Sequence, residues 1–509
     1  MKTTHLVIAL FAAAAATACG EMDMEYGTPS YAEPGPDHIP ERAPRPMAAP
    51  AETGEIFEDY GTNPVVEASE DNLVTFSVDV DTGSYTLMRD DIKNGRLPLA
   101  ASVRVEEYVN FFDYGYAPPA DLQNPFAVHL EAAPSPFGPG KHLLRVGLKG
   151  YDVPNEERPA ANIVFLVDVS GSMSAANKLP LVQYSLRRLT ETLRPQDTIT
   201  IVTYAGADRV ALPPTPVSSR RTIIAAINAM HSGGSTHGAA GIRTAYDLAE
   251  EAARQNPGAI NRVILCTDGD FNVGVTGDAL IALIDDYRER GVSLSVMGFG
   301  RGNFNDRDME RLADHGNGNY AFIDNEGEAE RVLVTNLSGT LLTIAKDVKI
   351  QVELDPEVVA NHRLIGYENR DIADEDFRND AVDAGEIGAG HSVTAFIEVE
   401  FHGEVLPEAH DWAKVNLRYQ DPAAGDEVIE FAETISTDDI RETFEAASDA
   451  YRFGAAVAEF AEILRASPHS EGRPLGTVAE IADGARRPDV PAMDELVQLV
   501  NRAITLPSR

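Results

Sequence analysis

Ile163-Val-Phe-Leu-Val167 runs directly into Asp168-Val-Ser-Gly-Ser172. An unbroken apolar run of this length reads as a strand covered on both faces, as in a parallel sheet. Asp168, Ser170 and Ser172 then fall on one tight loop at its carboxyl end, and Gly171 suits a sharp turn there. One carboxylate and two hydroxyls are hard oxygen donors, suited to Mg²⁺ or Mn²⁺, with Ca²⁺ a further option. Three such oxygens fall short of an octahedral shell, so further donors are expected elsewhere in the chain.

Two segments supply them. Thr236 lies in the glycine-rich stretch Gly233-Gly-Ser-Thr-His-Gly238. Asp268, in Thr267-Asp-Gly-Asp270, follows the apolar strand Val263-Ile-Leu-Cys266. Taken alone, the pentapeptide could be a helix cap with a serine turn. Together the five positions resemble the metal-ion-dependent adhesion site of von Willebrand factor type A (VWA) domains, over about residues 160–342. That resemblance implies a metal held by Asp168, Ser170, Ser172, Thr236 and Asp268, with a carboxylate from a protein partner completing the coordination of Mg²⁺. It also implies an α/β fold, a Rossmann-like, doubly wound and mostly parallel sheet.

The local patterns agree with alternating elements. Helices are expected over 178–193, 218–230, 241–255, 278–290, 306–313 and 326–342, and strands over 198–204, 263–267, 292–298 and 320–323. Ligands of such sheets bind beyond the carboxyl ends of the strands, where Asp168 and Asp268 fall. Gly298-Phe-Gly-Arg-Gly302 imitates a dinucleotide loop, but Asn303 stands at its sixth position and a turn is expected. His237, beside Thr236, reads as a rim residue of the site.

A net charge of −39 over 509 residues excludes a basic nucleic-acid surface and a polybasic grip on anionic lipid. Of two cysteines, Cys266 sits in an apolar strand and reads as core. Cys19 ends an export signal: Lys2, an apolar run over 6–16, then Thr17-Ala18-Cys19. Small residues before a cysteine resemble a bacterial lipobox, which implies a lipid anchor on Cys19. Plain signal cleavage near Ala18 is the other reading. Either way the chain is exported to the cell envelope, and Gly20 after the cysteine favours an outer membrane where two membranes exist. Residues 20–68, rich in Pro, Ala, Glu and Gly, read as a disordered tether.

Residues 69–122 read as a small α/β segment, with a strand at 73–79 and helices at 85–94 and 105–112. Asp81-Thr-Gly-Ser84 matches the loop of aspartic proteases, but no second such loop is available, and capping by Asp81 or Thr82 is expected. Strand patterns at 126–133 and 142–148 are too few for a domain. Their natural partners are the alternating stretches 348–354, 393–401, 413–419 and 428–435. A β-sandwich built from both sides of the VWA region (123–150 with 345–436) is therefore expected. The acid-rich stretch 367–386 reads as a solvated loop rather than a Ca²⁺ site.

From residue 437 the period becomes helical, with Ile440, Phe444, Ala447, Tyr451, Val457 and Phe460 on one face and further helices at 475–483 and 490–504. The 73–116 segment and this tail resemble those of bacterial VWA lipoproteins that carry a C-terminal domain of unknown function. The expected role is binding of an unknown protein with an exposed Asp or Glu, not catalysis. A metal-dependent hydrolase and a scaffold with a non-functional metal site are the alternatives.

Overall fold

Alternate residues of strand Ala161–Asp168 enter two different hydrophobic cores. Ile163, Phe165 and Val167 pack with Val182, Leu186 and Leu189 of helix Leu179–Thr192. Val164 and Leu166 pack with Ile242, Ala245 and Tyr246 of helix Gly238–Gln255. Every residue of the strand is buried, as its unbroken apolar composition demands. In this computed structural model, residues 54–120, 124–234, 238–269, 277–302, 304–403 and 405–507 are described.

The strand is third from one edge of a six-stranded sheet ordered Tyr320–Ile323, Ser293–Phe299, Ile260–Thr267, Ala161–Asp168, Thr198–Ala205, Ala207–Pro216. The first five strands are parallel and the last is antiparallel. The α/β class follows as expected. Strand Ala207–Pro216 is an addition, because Pro213, Pro214 and Pro216 argue against a strand in the sequence. At a sheet edge, prolines cost no ladder bond on the outer side. The expected helix over 326–342 is also corrected: it breaks into Glu326–Glu330, a π-helical turn Arg331–Thr335 and Leu337–Leu341.

Two antiparallel sheets flank this unit. One is ordered Val66–Glu67, Val359–Ile365, Ser392–Phe401, Lys141–Gly150, Phe126–Pro134. Its central pairing joins the segments before and after the α/β unit, with Ile397 opposite Leu144 and Ala395 opposite Val146. The other carries Thr343–Leu354, Asp411–Asp421 and Glu427–Ser436, with Leu73–Ser77 on the far side of Thr343–Leu354. Leu144, Val146 and Leu148 of one sheet share a core with Ile350, Val352, Val415 and Leu417 of the other. The α/β unit is thus inserted into a sandwich.

The segment around 73–116 has no core of its own. Its strand completes the sandwich. Its helix Gly83–Lys93 lies on the edge strand Tyr320–Ile323, where a Cβ on Gly83 would meet the Tyr320 ring at 2.5 Å. Tyr85 stacks on Phe111 at 3.9 Å, and Phe112 meets Phe453 of helix Asp449–Leu464 edge-on at 5.1 Å. Helices Leu475–Ala485 and Pro491–Ala503 complete that aromatic core.

The expected capping by Asp81 or Thr82 is corrected. Thr82 precedes the helix without a side-chain cap bond, and its hydroxyl accepts from Arg331 at 2.7 Å. Asp81 accepts from the backbone N–H of Tyr320 at 2.8 Å, tying the segment to the edge strand of the α/β unit. Nor is the acidic stretch simply solvated. Glu368 pairs with Arg465 at 2.8 Å, and Arg370 lies among Asp79, Asp81, Glu310 and Asp314 at 2.8–3.5 Å.

This junction buries more carboxylate than cation. Glu106 is 1 % exposed and accepts from the Tyr367 N–H at 2.9 Å. Burial, and then the charge of Glu368, push its carboxyl up to about 8. Burial pushes the Glu107 carboxyl up to about 7, although Arg104 opposes the shift. Acids whose folded value is raised contribute stability at low pH and lose it as pH climbs through that value. Unfolding free energy is therefore expected to fall from about pH 5, just above the ordinary glutamic acid value, to about pH 8, by at most about 1.4 kcal/mol per unit for each group. Denaturant titrations across this range check it: Glu106→Gln keeps an acceptor for Tyr367 and should flatten the slope near pH 8.

Candidate metal site

Strands Ala161–Asp168 and Ile260–Thr267 run parallel with Val167 opposite Cys266, so their carboxyl ends deliver Asp168 and Asp268 side by side. Both carboxylates are fully buried. One Asp168 oxygen accepts the Ser170 N–H at 2.7 Å, which folds the loop back over the strand end. The Ser170 and Ser172 hydroxyls lie 2.9 Å apart, so both face the same point. Ser170 is 2 % exposed, whereas Ser172 is at the surface.

Backbone bonds fix this loop against its neighbours. The Val169 N–H donates to the Tyr204 carbonyl at 3.1 Å, the Gly233 N–H to the Val169 carbonyl at 2.7 Å, and the Gly171 N–H to the Gly234 carbonyl at 3.1 Å. The glycine stretch that leads to Thr236 is therefore docked on the Asp168 loop. Thr236 and His237 themselves lie outside the described residues, as do Cys19 and the tether region up to residue 53. Gly171 is not needed for its backbone conformation. It opens a 3₁₀ turn, Gly171–Ser174, and a Cβ there would sit at an ordinary 3.6 Å from the Gly234 carbonyl.

Lys178 is the participant that the sequence reading missed. Its ammonium lies 2.9 Å from an Asp268 oxygen, with the side chain 9 % exposed. It directly precedes helix Leu179–Thr192, an end that disfavours cations. A lysine at that position is the signal that an anion stands nearby. Its aliphatic stem fills the space over Gly300, where a Cβ would meet Lys178 Cγ at 2.5 Å. This packing accounts for a glycine in the dinucleotide-like stretch, which is a turn as expected, with Gly300 at φ +72°.

The donor set fits a hard divalent cation: two buried carboxylates and two hydroxyls at adjacent strand ends. Among the described residues no group of three or more His, Cys, Asp or Glu could hold a metal. The site thus relies on hydroxyl oxygen, which disfavours the softer transition metals. The same finding lends nothing to a Ca²⁺ site in 367–386. Cys266 is core, 3 % exposed, and burial pushes its thiol up to about 12.

Comparison with known proteins agrees with the family resemblance of the sequence. The von Willebrand factor type A domain family matches residues 162–336, a family described as von Willebrand factor matches 51–145, and the C-terminal family of uncharacterized protein YfbK matches 339–506. Uncharacterized protein YfbK of Escherichia coli (strain K12) is 40% identical over 458 residues, covering 85% of this chain and 78% of that protein. The chain belongs to the YfbK family. A second relative, uncharacterized protein sll0103 of Synechocystis sp., is 23% identical over 292 residues, covering 55% of this chain and 67% of its own. Among solved structures, a von Willebrand factor type A protein from Catenulispora acidiphila covers 75% of this chain and 91% of its own at 16% identity and a TM-score of 0.45. Proximal thread matrix protein 1 from the mussel byssus, solved with a zinc-occupied MIDAS motif, covers 37% of this chain and 48% of its own at 17% identity and a TM-score of 0.30.

In this YfbK-family chain the Lys178 ammonium already holds the Asp268 carboxylate that a cation at this site would need. Lys178→Met keeps the stem over Gly300 and removes the charge. Mg²⁺ affinity is expected to rise about tenfold, the size of a partly screened unit charge nearby. Calorimetric titration of both proteins checks it, and equal affinities would mean that the ammonium does not compete.

Proposed function

We propose that this chain is an exported, lipid-anchored binding protein that captures a protein partner through a divalent cation, Mg²⁺ foremost, at its VWA domain. The observation that carries this reading is the convergence of Asp168, Ser170, Ser172 and Asp268 at two adjacent strand ends. Thr236 is the fifth donor in this reading. An Asp or Glu exposed on the partner completes the coordination. The cation is the largest charge at such a site, and partial shielding from water strengthens the contact. Without it, the site offers the incoming acid no cation beyond Lys178, which Asp268 already holds, and Asp168 repels it, so binding is switchable. The rest of the −39 net charge matters less, because screening limits its reach to about 8 Å at physiological salt.

The anchor in this reading is Cys19, freed by signal cleavage and lipidated, with residues 20–68 as a spacer off an outer membrane. No helix among the described residues is long and apolar enough to cross a membrane.

Two outcomes are expected. Mg²⁺ at a hundredfold excess over its Kd should stabilise the wild type by about 2.7 kcal/mol, while Asp168→Ala should fold and show no Mg²⁺ response. Capture from envelope extracts should retain a partner with Mg²⁺ and lose it with EDTA or Asp168→Ala. A partner retained equally in all conditions would move binding away from the metal. Separately, Cys19→Ser should shift the chain from the membrane to the soluble fraction of fractionated cells; unchanged sedimentation would rule out the anchor.

A further inference from the structure

Parallel strands place their starts at the sheet end opposite Asp168. There a cavity of about 630 Å³ opens between the VWA unit, the sandwich and the last helix. Tyr320 begins one parallel strand on its wall, Lys149 is the penultimate residue of a sandwich strand, and Pro491 begins the terminal helix. The volume lies in the range of small-molecule sites.

One wall carries His391. Its carbonyl accepts from the Gly150 N–H at 2.8 Å, which fixes the backbone. Its ring lies on Gly339, where a Cβ would come within 2.2 Å of Nε2. The other ring nitrogen, Nδ1, is buried and has no hydrogen-bond partner. Nδ1 is sealed from solvent, so Nε2, beside Gly339 on the cavity wall, is the nitrogen left to meet a ligand.

The charges acting on this ring are Lys149, Arg331 and Arg262, all positive. Burial first, and then these cations, lower the imidazole to about 4, so it is neutral at pH 7 and carries one N–H. Lys149 Nζ donates to the Gly390 carbonyl and has no carboxylate partner among the described residues. Arg331 is held by Glu328 at 2.6 Å and lies over the Phe111 ring at 4.3 Å. A cation without a carboxylate partner at a cavity is out of keeping with a chain of net charge −39. Phe111, Phe112 and Val332 give the same cavity an apolar side. Asp113 and Asp152 also line it, which limits the negative charge it accepts. A single carboxylate fits that balance and a polyphosphate does not.

We infer that this cavity binds a small organic monocarboxylate, its carboxylate taken by Lys149 and the His391 N–H and its apolar body by the Phe111 side. The site is separate from the Asp168 loop and needs no metal.

The test uses the full chain with isotope-labelled histidine, the His391 signal being assigned with His391→Gln. Acetate, benzoate and phenylacetate are titrated beside their neutral amides, each with and without EDTA. A saturable shift of the His391 ring nitrogens with a carboxylate, absent with its amide and indifferent to EDTA, is the expected result. Lys149→Met should weaken that carboxylate about tenfold or more, and Lys149→Arg should restore most of it. Thermal unfolding without ligand controls for folding of both variants. No saturable shift with any of the three carboxylates, an equal shift with the amides, or an unchanged affinity in a folded Lys149→Met would each overturn the proposal.

Discussion

The antiparallel pairing of Lys141–Gly150 with Ser392–Phe401 is the contact on which the rest of this molecule depends. It joins strands that lie on opposite sides of the whole VWA unit in the chain. Such a closure is costly in entropy, though the cost grows only slowly with loop length. It is offset by a core in which Leu144, Val146, Leu148, Ala395, Ile397 and Val399 are all buried, against Trp412 and Leu417 of the second sheet. The VWA unit, with its own sheet and two cores, is rigid enough to span the gap. Without that pairing, strands Phe126–Pro134 and Val359–Ile365 would be edges of nothing, and the entry and exit of the metal-site unit would be unconstrained.

A second constraint is electrostatic. Where the N-terminal segment, the VWA unit and the sandwich meet, Arg104 and Arg370 serve Asp79, Asp81, Glu107, Asp306, Glu310 and Asp314. Buried pairs of this kind add little net stability, because desolvation consumes most of the attraction. They do penalise any arrangement that strands one partner, so they fix how the parts sit. The protonation state of a few carboxylates thereby becomes a property of the junction.

Much of this was legible in the sequence, and the failures have physical causes. The apolar run 163–167 announced a two-sided strand, and the strands on both sides of the VWA unit announced a shared sandwich by alternation and by being too few alone. Strand Ala207–Pro216 was hidden because proline argues against strands in general, whereas an edge forgives it. The break at Arg331–Thr335 has no mark in the helical pattern around it. Asp81 was misread because capping is a local rule, and its partner Tyr320 is remote in sequence. At the candidate metal site, Asp168, Ser170, Ser172 and Asp268 were legible as a motif. Lys178 was not, since an ion pair between two elements leaves only an unfavourable charge at a helix end as its trace.

The insertion has a mechanical side. The chain enters the VWA unit after Gly150 and leaves it at Leu341, and the two sandwich strands it connects there, Lys141–Gly150 and Thr343–Leu354, belong to different sheets. The two ends of the inserted unit are therefore held by two different ladders, one in each sheet of the sandwich, so both sheets must be in place for its entry and exit to be fixed.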